Sequence, residues 1–182
     1  MTDSAASQSS PNKIKKIVVG IAALVVVAAV GALVIWATTC PCERTPGFVL
    51  LGEGAETPVD DWGFVNDVPL CQIQIYAGWR PHAVNLNCMA TPEGELFLSC
   101  SVCTRKYWAG EVEVNEPGRL RLNGVVYPVI VNREMDPAAL DRAWAARVKK
   151  LQVHGGGPFN PVPDPDAQRP EHWWSFHLES SI

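Results

Sequence analysis

The chain is short of charge: of its 182 residues only 19% are Asp, Glu, Lys or Arg, and the 15 basic ones are outnumbered by 19 acidic ones. Asp3, Lys13, Lys15 and Lys16 all fall within the first 16 residues, which leaves 12 basic against 18 acidic side chains in the remainder. A net-negative surface repels a phosphate backbone, so a nucleic-acid partner is excluded. Metal-ligand spacing is missing as well. His82, His154, His172 and His177 form no ligand pattern, and no Cys or His pair stands at finger distance from Cys40 and Cys42 or from Cys100 and Cys103, so no metal is expected. The βαβ setting that gives a C-x-x-C pair its redox meaning is also absent around Cys100 and Cys103.

What is present is apolar: 47% of the residues are hydrophobic, too many for a disordered chain. Residues 17–37 contain no charged side chain. About 21 residues at roughly 1.5 Å each cover the ~30 Å of a bilayer's hydrocarbon core, so a membrane helix is expected over 17–38, in contact with lipid. In lipid the backbone must satisfy its own hydrogen bonds, which makes this stretch helical despite its many Val and Ile residues. Three lysines precede the run, whereas only Glu43 and Arg44 stand just after it, followed by Glu53, Glu56, Asp60 and Asp61. The positive-inside rule therefore places a tail of residues 1–16 in the cytoplasm and the C-terminal domain on the exoplasmic or periplasmic side of a single-pass protein. A cleaved signal peptide normally has an apolar core of only about 7–15 residues, which favours an uncleaved signal-anchor. Thr39 ahead of Cys40 does not suit a lipoprotein signal. Six cysteines on an oxidising side allow fifteen pairings, and the sequence does not choose among them.

Residues 39–61, rich in Pro, Gly and acid, form a linker with one short strand at 48–51, and a domain spans 62–182. Alternation over 71–76 puts Cys71, Ile73 and Ile75 on one face and Gln72, Gln74 and Tyr76 on the other, the pattern of a half-buried strand. Val84, Leu86 and Cys88 alternate with Asn85, Asn87 and Met89. A turn at Pro92, Glu93 and Gly94 then leads into a strand carrying Leu96, Leu98, Cys100 and Val102 on one face. Asn123 and Gly124 accept the two positive φ angles of a tight hairpin turn between strands at 119–122 and 125–131. Pro128 cannot donate to a ladder and belongs at an edge or bulge. Asp136 and Pro137 open a helix whose apolar stripe reads Leu140, Ala143, Trp144, Arg147, Val148 and Leu151, with Gly155 as its stop. Trp174, Phe176 and Leu178 complete the set as a closing strand. The expected fold is mainly β: an antiparallel six-stranded barrel with one long covering helix and one short helix.

This order of elements resembles the split-barrel flavin-binding proteins typified by pyridoxamine phosphate oxidase. The likeness covers 62–178 and is carried by residues 99–108, by Asn115 to Pro117, and by a strand-turn-strand ending in Tyr127 and Pro128. In that family a strand ends in Ser or Thr, an Arg-Lys pair and a short helix follow, and an Asn-x-Pro precedes the next strand. The resemblance implies a flavin mononucleotide (FMN) or deazaflavin cofactor at a homodimer interface. Arg105 and Lys106 would face its phosphate, Ser101 and Thr104 would add hydroxyl contacts, and His82, Asn85 and Asn87 would lie near the ring edges or the substrate. It supplies no catalytic acid or base, so catalytic residues stay unassigned. The leading expectation is a membrane-anchored flavin-dependent oxidoreductase acting on a small-molecule acceptor. The alternative is a cofactor-free binding or assembly module docking a neighbouring membrane protein, with Trp173 and Trp174 as its contact.

Overall fold

A computed structural model describes residues 11–38, 45–158 and 160–182. Cys40, Cys42 and Glu43, the first ten residues and the start of the expected linker lie outside them. The chain divides into two units, Met1–Ala37 and Thr38–Ile182.

The first unit holds helix α1, Pro11–Thr38. Its most apolar 18-residue stretch, inside Asn12–Ala37, has a mean hydropathy of 3.0, and the helix is long and apolar enough to cross a membrane. It is hydrophobic all round: Val19, Leu24, Val27 and Ile35 are all exposed around its circumference. Such a helix has no polar face to turn to water.

In the second unit, six strands close on themselves. They are β2 (Cys71–Ala77), β3 (Arg80–Ala90), β4 (Leu96–Cys100), β5 (Glu116–Leu122), β6 (Val125–Arg133) and β7 (Trp174–Ser180). Around the barrel the order is β2, β3, β4, β7, β6, β5 and back to β2, and every one of these pairings is antiparallel. The architecture is a closed barrel of the kind a split-barrel fold requires. Its interior is built from the alternating apolar faces: Ile73 is paired across β2 and β3 with Val84 and across β2 and β5 with Leu120, while Leu98 sits opposite both Cys88 and Phe176. Ile73, Leu98, Leu120, Phe176 and Leu178 are all essentially inaccessible to solvent. Each such side chain stabilises the fold by about 1.5–3 kcal/mol relative to exposure.

The turns follow the local chemistry. Asn123 and Gly124 take φ of 47° and 87°, the mirror-image turn that matches strand twist. Helix α2 (Tyr107–Glu111) is the short helix and α3 (Pro137–His154) the long one. The Asp136 carboxylate accepts the Ala139 amide at 2.9 Å, and the Gly155 amide closes on Leu151 O. Pro128 lies where β6 changes partner, between its pairing with a two-residue strand β1 (Glu53–Gly54) at Val125 and Val126 and its pairing with β7 from Val129 onward. A missing donor costs least at such a handover.

Three features differ from the sequence reading, and the first two arise because the outside of the barrel is covered. Ala139, Ala143 and Ala146 of α3 bury Met89 and Phe97, so the outer face of β3 and β4 is a second core. Gln74, expected on the wet face of β2, is 1% exposed because the segment before the barrel lies over it. There Gly47 pairs with Ala83, and the buried Leu50 donates its amide to Gln74 Oε1 at 2.8 Å. Arg121 clamps the same segment, donating from Nε to Gln72 Oε1 and from a terminal nitrogen to Leu51 O, each at 2.7 Å. The short strand falls at Glu53–Gly54, not at 48–51, because pairing to β6 follows a close approach at Gly52, where a Cβ would stand 2.2 Å from Gly124 O.

Candidate functional site

Where β3, the end of β4 and the last turns of α3 meet, the barrel carries a cleft of about 660 Å³. That is within the ~300–1,000 Å³ typical of small-molecule sites. Strand alternation brings Asn85 and Asn87 to it from β3, and Ser99 and Ser101 line it at the end of β4. Lys106 joins them as the residue before α2, and α3 adds Arg147 and His154. Asn160 and Trp173 complete the wall.

The cleft's charge is one-sided. No Asp or Glu is among the described residues that line it, whereas clefts of similar size elsewhere hold Asp141 and Asp166, or Asp61 and Glu93. Arg147 is 5% exposed, donates to Ser99 Oγ at 3.2 Å and lies 4.2 Å from the centre of the Trp173 ring. Burial lowers its guanidinium to about 10. Burial, and after it the neighbouring Arg147 charge, lowers the Lys106 ammonium below the ordinary lysine value. The ion pairs among the described residues are Arg142 with Glu95 and Arg169 with Asp141, neither of which reaches these two cations. Desolvated cations without a counter-charge are unfavourable when the cleft is empty, and an anion placed between them relieves that cost. Asn87 Nδ2 donates to Asn160 Oδ1 across the floor, and His154 Nε2 stands 3.0 Å from Asn66 O.

The structure therefore brings together Asn85, Asn87, Ser101 and Lys106 of the residues expected from the sequence. Thr104 and Arg105 are exposed on the 3-10 turn Cys103–Arg105 and do not line the cleft. His82 is buried instead against Tyr107, ring centres 5.5 Å apart, and burial followed by the Arg80 charge lowers its pKa. Arg147, His154, Asn160 and Ser99 are not singled out as site residues by the sequence, and Trp173 is named there only as a docking contact. The one available signal was a cation, Arg147, standing in the apolar stripe of α3.

The four described cysteines separate into two groups. Cys100 and Cys103 form a disulfide at the cleft's edge, tying the end of β4 to the turn that delivers Lys106. Cys71 and Cys88 are free and buried in the barrel beside Lys150, whose ammonium donates to Val65 O at 2.7 Å and to Cys88 O, with Cys88 Sγ at 3.7 Å. Burial pushes the Cys71 thiol up. It would do the same to Cys88, but the hydrogen bond from Cys71 and the Lys150 charge outweigh it and draw that thiol down.

No family model matches the chain, and no curated protein matches its sequence.

Proposed function

We propose that the barrel domain binds an anionic flavin-type cofactor, FMN or a deazaflavin, in the Lys106–Arg147 cleft, and that the chain is a membrane-anchored oxidoreductase acting on a small-molecule acceptor. The observation that carries this reading is a pair of cations, the buried Arg147 and the partly buried Lys106, with no carboxylate among the described residues of the wall around them. The residues present suit such a group. Lys106 and Arg147 would hold the phosphate, Ser99 and Ser101 would add hydroxyl contacts, and the amides of Asn85, Asn87 and Asn160 offer donors and acceptors to a heteroaromatic edge. Trp173, already under the Arg147 guanidinium, supplies an apolar wall. When bound, such a cofactor supplies two-electron redox chemistry, and the chain's own residues orient it and set the electrostatics around it. On this reading α1 is the anchor, the three lysines in its first turns face the cytoplasm, the barrel lies outside, and two copies pair as a homodimer.

The docking-module alternative loses one of its supports. Trp173 is engaged by Arg147, and Trp174 lies under Arg133, whose Cζ is 3.5 Å from the ring centre.

The test is titration of the purified full-length chain with FMN, followed by quenching of flavin fluorescence. Lys106→Glu should weaken binding at least tenfold, since a charged hydrogen bond is worth about 1.5–3 kcal/mol. Arg105→Glu should leave it unchanged. Equal effects of the two reversals, or no binding by the unaltered chain, would defeat the proposal.

A further inference from the structure

The hairpin between β2 and β3 ends in Gly78 and Trp79, and Trp79 is 90% exposed. The tryptophan is not isolated. Tyr76 and Tyr107 are each about half exposed. Tyr107 Oη lies 3.9 Å from where a Cβ on Gly78 would stand, and the Arg80 guanidinium is 5.8 Å from the Tyr107 ring centre. Gly78 adopts φ of +64°, which makes the tight turn that holds Trp79 at the tip. Three aromatic rings and a guanidinium at one extremity match the headgroup layer of a bilayer, where tryptophan and tyrosine rings concentrate and arginine meets lipid phosphate.

Chain length points to the same occupant. Gly47 is hydrogen-bonded to Ala83 on β3, at 2.8 and 3.1 Å. Only eight residues lie between Gly47 and Thr38, the last residue of α1, so the nine Cα steps that join them span at most about 30 Å of chain. From Ala83 to Trp79 is four residues of hairpin, roughly 13 Å. A leash of that length allows a lipid surface as the occupant. Glu111, Glu113 and Glu116 carry negative charge near Tyr76, so the aromatic contact and not net charge must supply the attraction, and a zwitterionic lipid suffices.

We infer that the β2–β3 hairpin tip, led by Trp79 with Tyr76, Arg80 and Tyr107, seats in the headgroup region of a bilayer. The inference rests on the anchor reading of α1. It is tested with the full-length chain in phosphatidylcholine vesicles whose acyl chains are brominated near the glycerol. Emission of the unaltered chain minus that of Trp79→Phe isolates the tip residue, and circular dichroism establishes that the variant keeps its fold. The expected result is a blue-shifted difference emission that is lost in brominated vesicles and insensitive to aqueous iodide. Quenching by iodide alone overturns the inference and leaves the anchor standing. Shielding from both quenchers points to a second copy or another protein on the tip and also overturns it. A chain that does not float with the vesicles removes the anchor and the inference together.

Discussion

Arg147 stands at a position that stability alone would not choose. Its guanidinium is desolvated enough to lower its pKa to about 10, so the charged form costs the empty fold free energy. Arg147→Met keeps the length and removes the charge. The expected outcome is a denaturant midpoint equal to or above that of the unaltered chain, together with loss of FMN binding. An unfolding free energy lowered by more than about 1 kcal/mol would assign the arginine to structure instead. The same shift sets a pH dependence. Arg147 is cationic below about 10 and neutral above it, whereas an unperturbed arginine stays charged beyond about 12. Lys106 moves in the same direction. Affinity for inorganic phosphate should therefore hold at neutral pH and fall as pH rises through about 10, with proton uptake on binding in that range, measurable by calorimetry in buffers of different ionisation enthalpy. An affinity that is flat through that range would contradict the role given to these cations. Arg105, one residue before Lys106, was equally plausible from the sequence. The 3-10 turn leaves Arg105 exposed and carries Lys106 to the cleft, and the direction of a side chain leaving a turn is not written in residue type.

Among the elements, those with a strong local signal were legible. The β2 and β3 alternations, the Asn123–Gly124 turn and the Asp136 cap each depend on neighbours in sequence, and each forms as the residues require. Burial of Gln74, Met89 and Phe97 was not legible, because a strand's own alternation does not reveal whether a helix or a strap covers its outer face. Arg147 was hidden for a related reason: a helical stripe marks a residue as inward but not as lining a cleft. Two substitutions test the covering elements. Gly52→Ala places a Cβ against Gly124 O and should cost about 1–3 kcal/mol in chemical denaturation. The same change should raise hydrogen exchange at the amides of Leu50 and Glu53, and normal protection there would show that the strap is not pinned at this point. Asp136→Ala removes the cap of α3 and should cost about 0.5–2 kcal/mol, since the Ala139 amide then lacks its carboxylate.

For the whole molecule, the mainly β character, the closed barrel and the long apolar N-terminal helix could be read from periodicity and composition, because each repeats one signal over many residues. The cleft could not, since its walls come from β3, β4, α3 and the segment before β7, which meet only when the barrel closes. The account turns on what this cleft holds. Its most direct measurement compares FMN with riboflavin, which has the same ring and no phosphate, by equilibrium dialysis against the purified chain at low ionic strength. The expected result is retention of FMN at least tenfold tighter than riboflavin, with inorganic phosphate competing. Equal retention of the two, or retention of neither, would contradict a site organised by Lys106 and Arg147 around an anion.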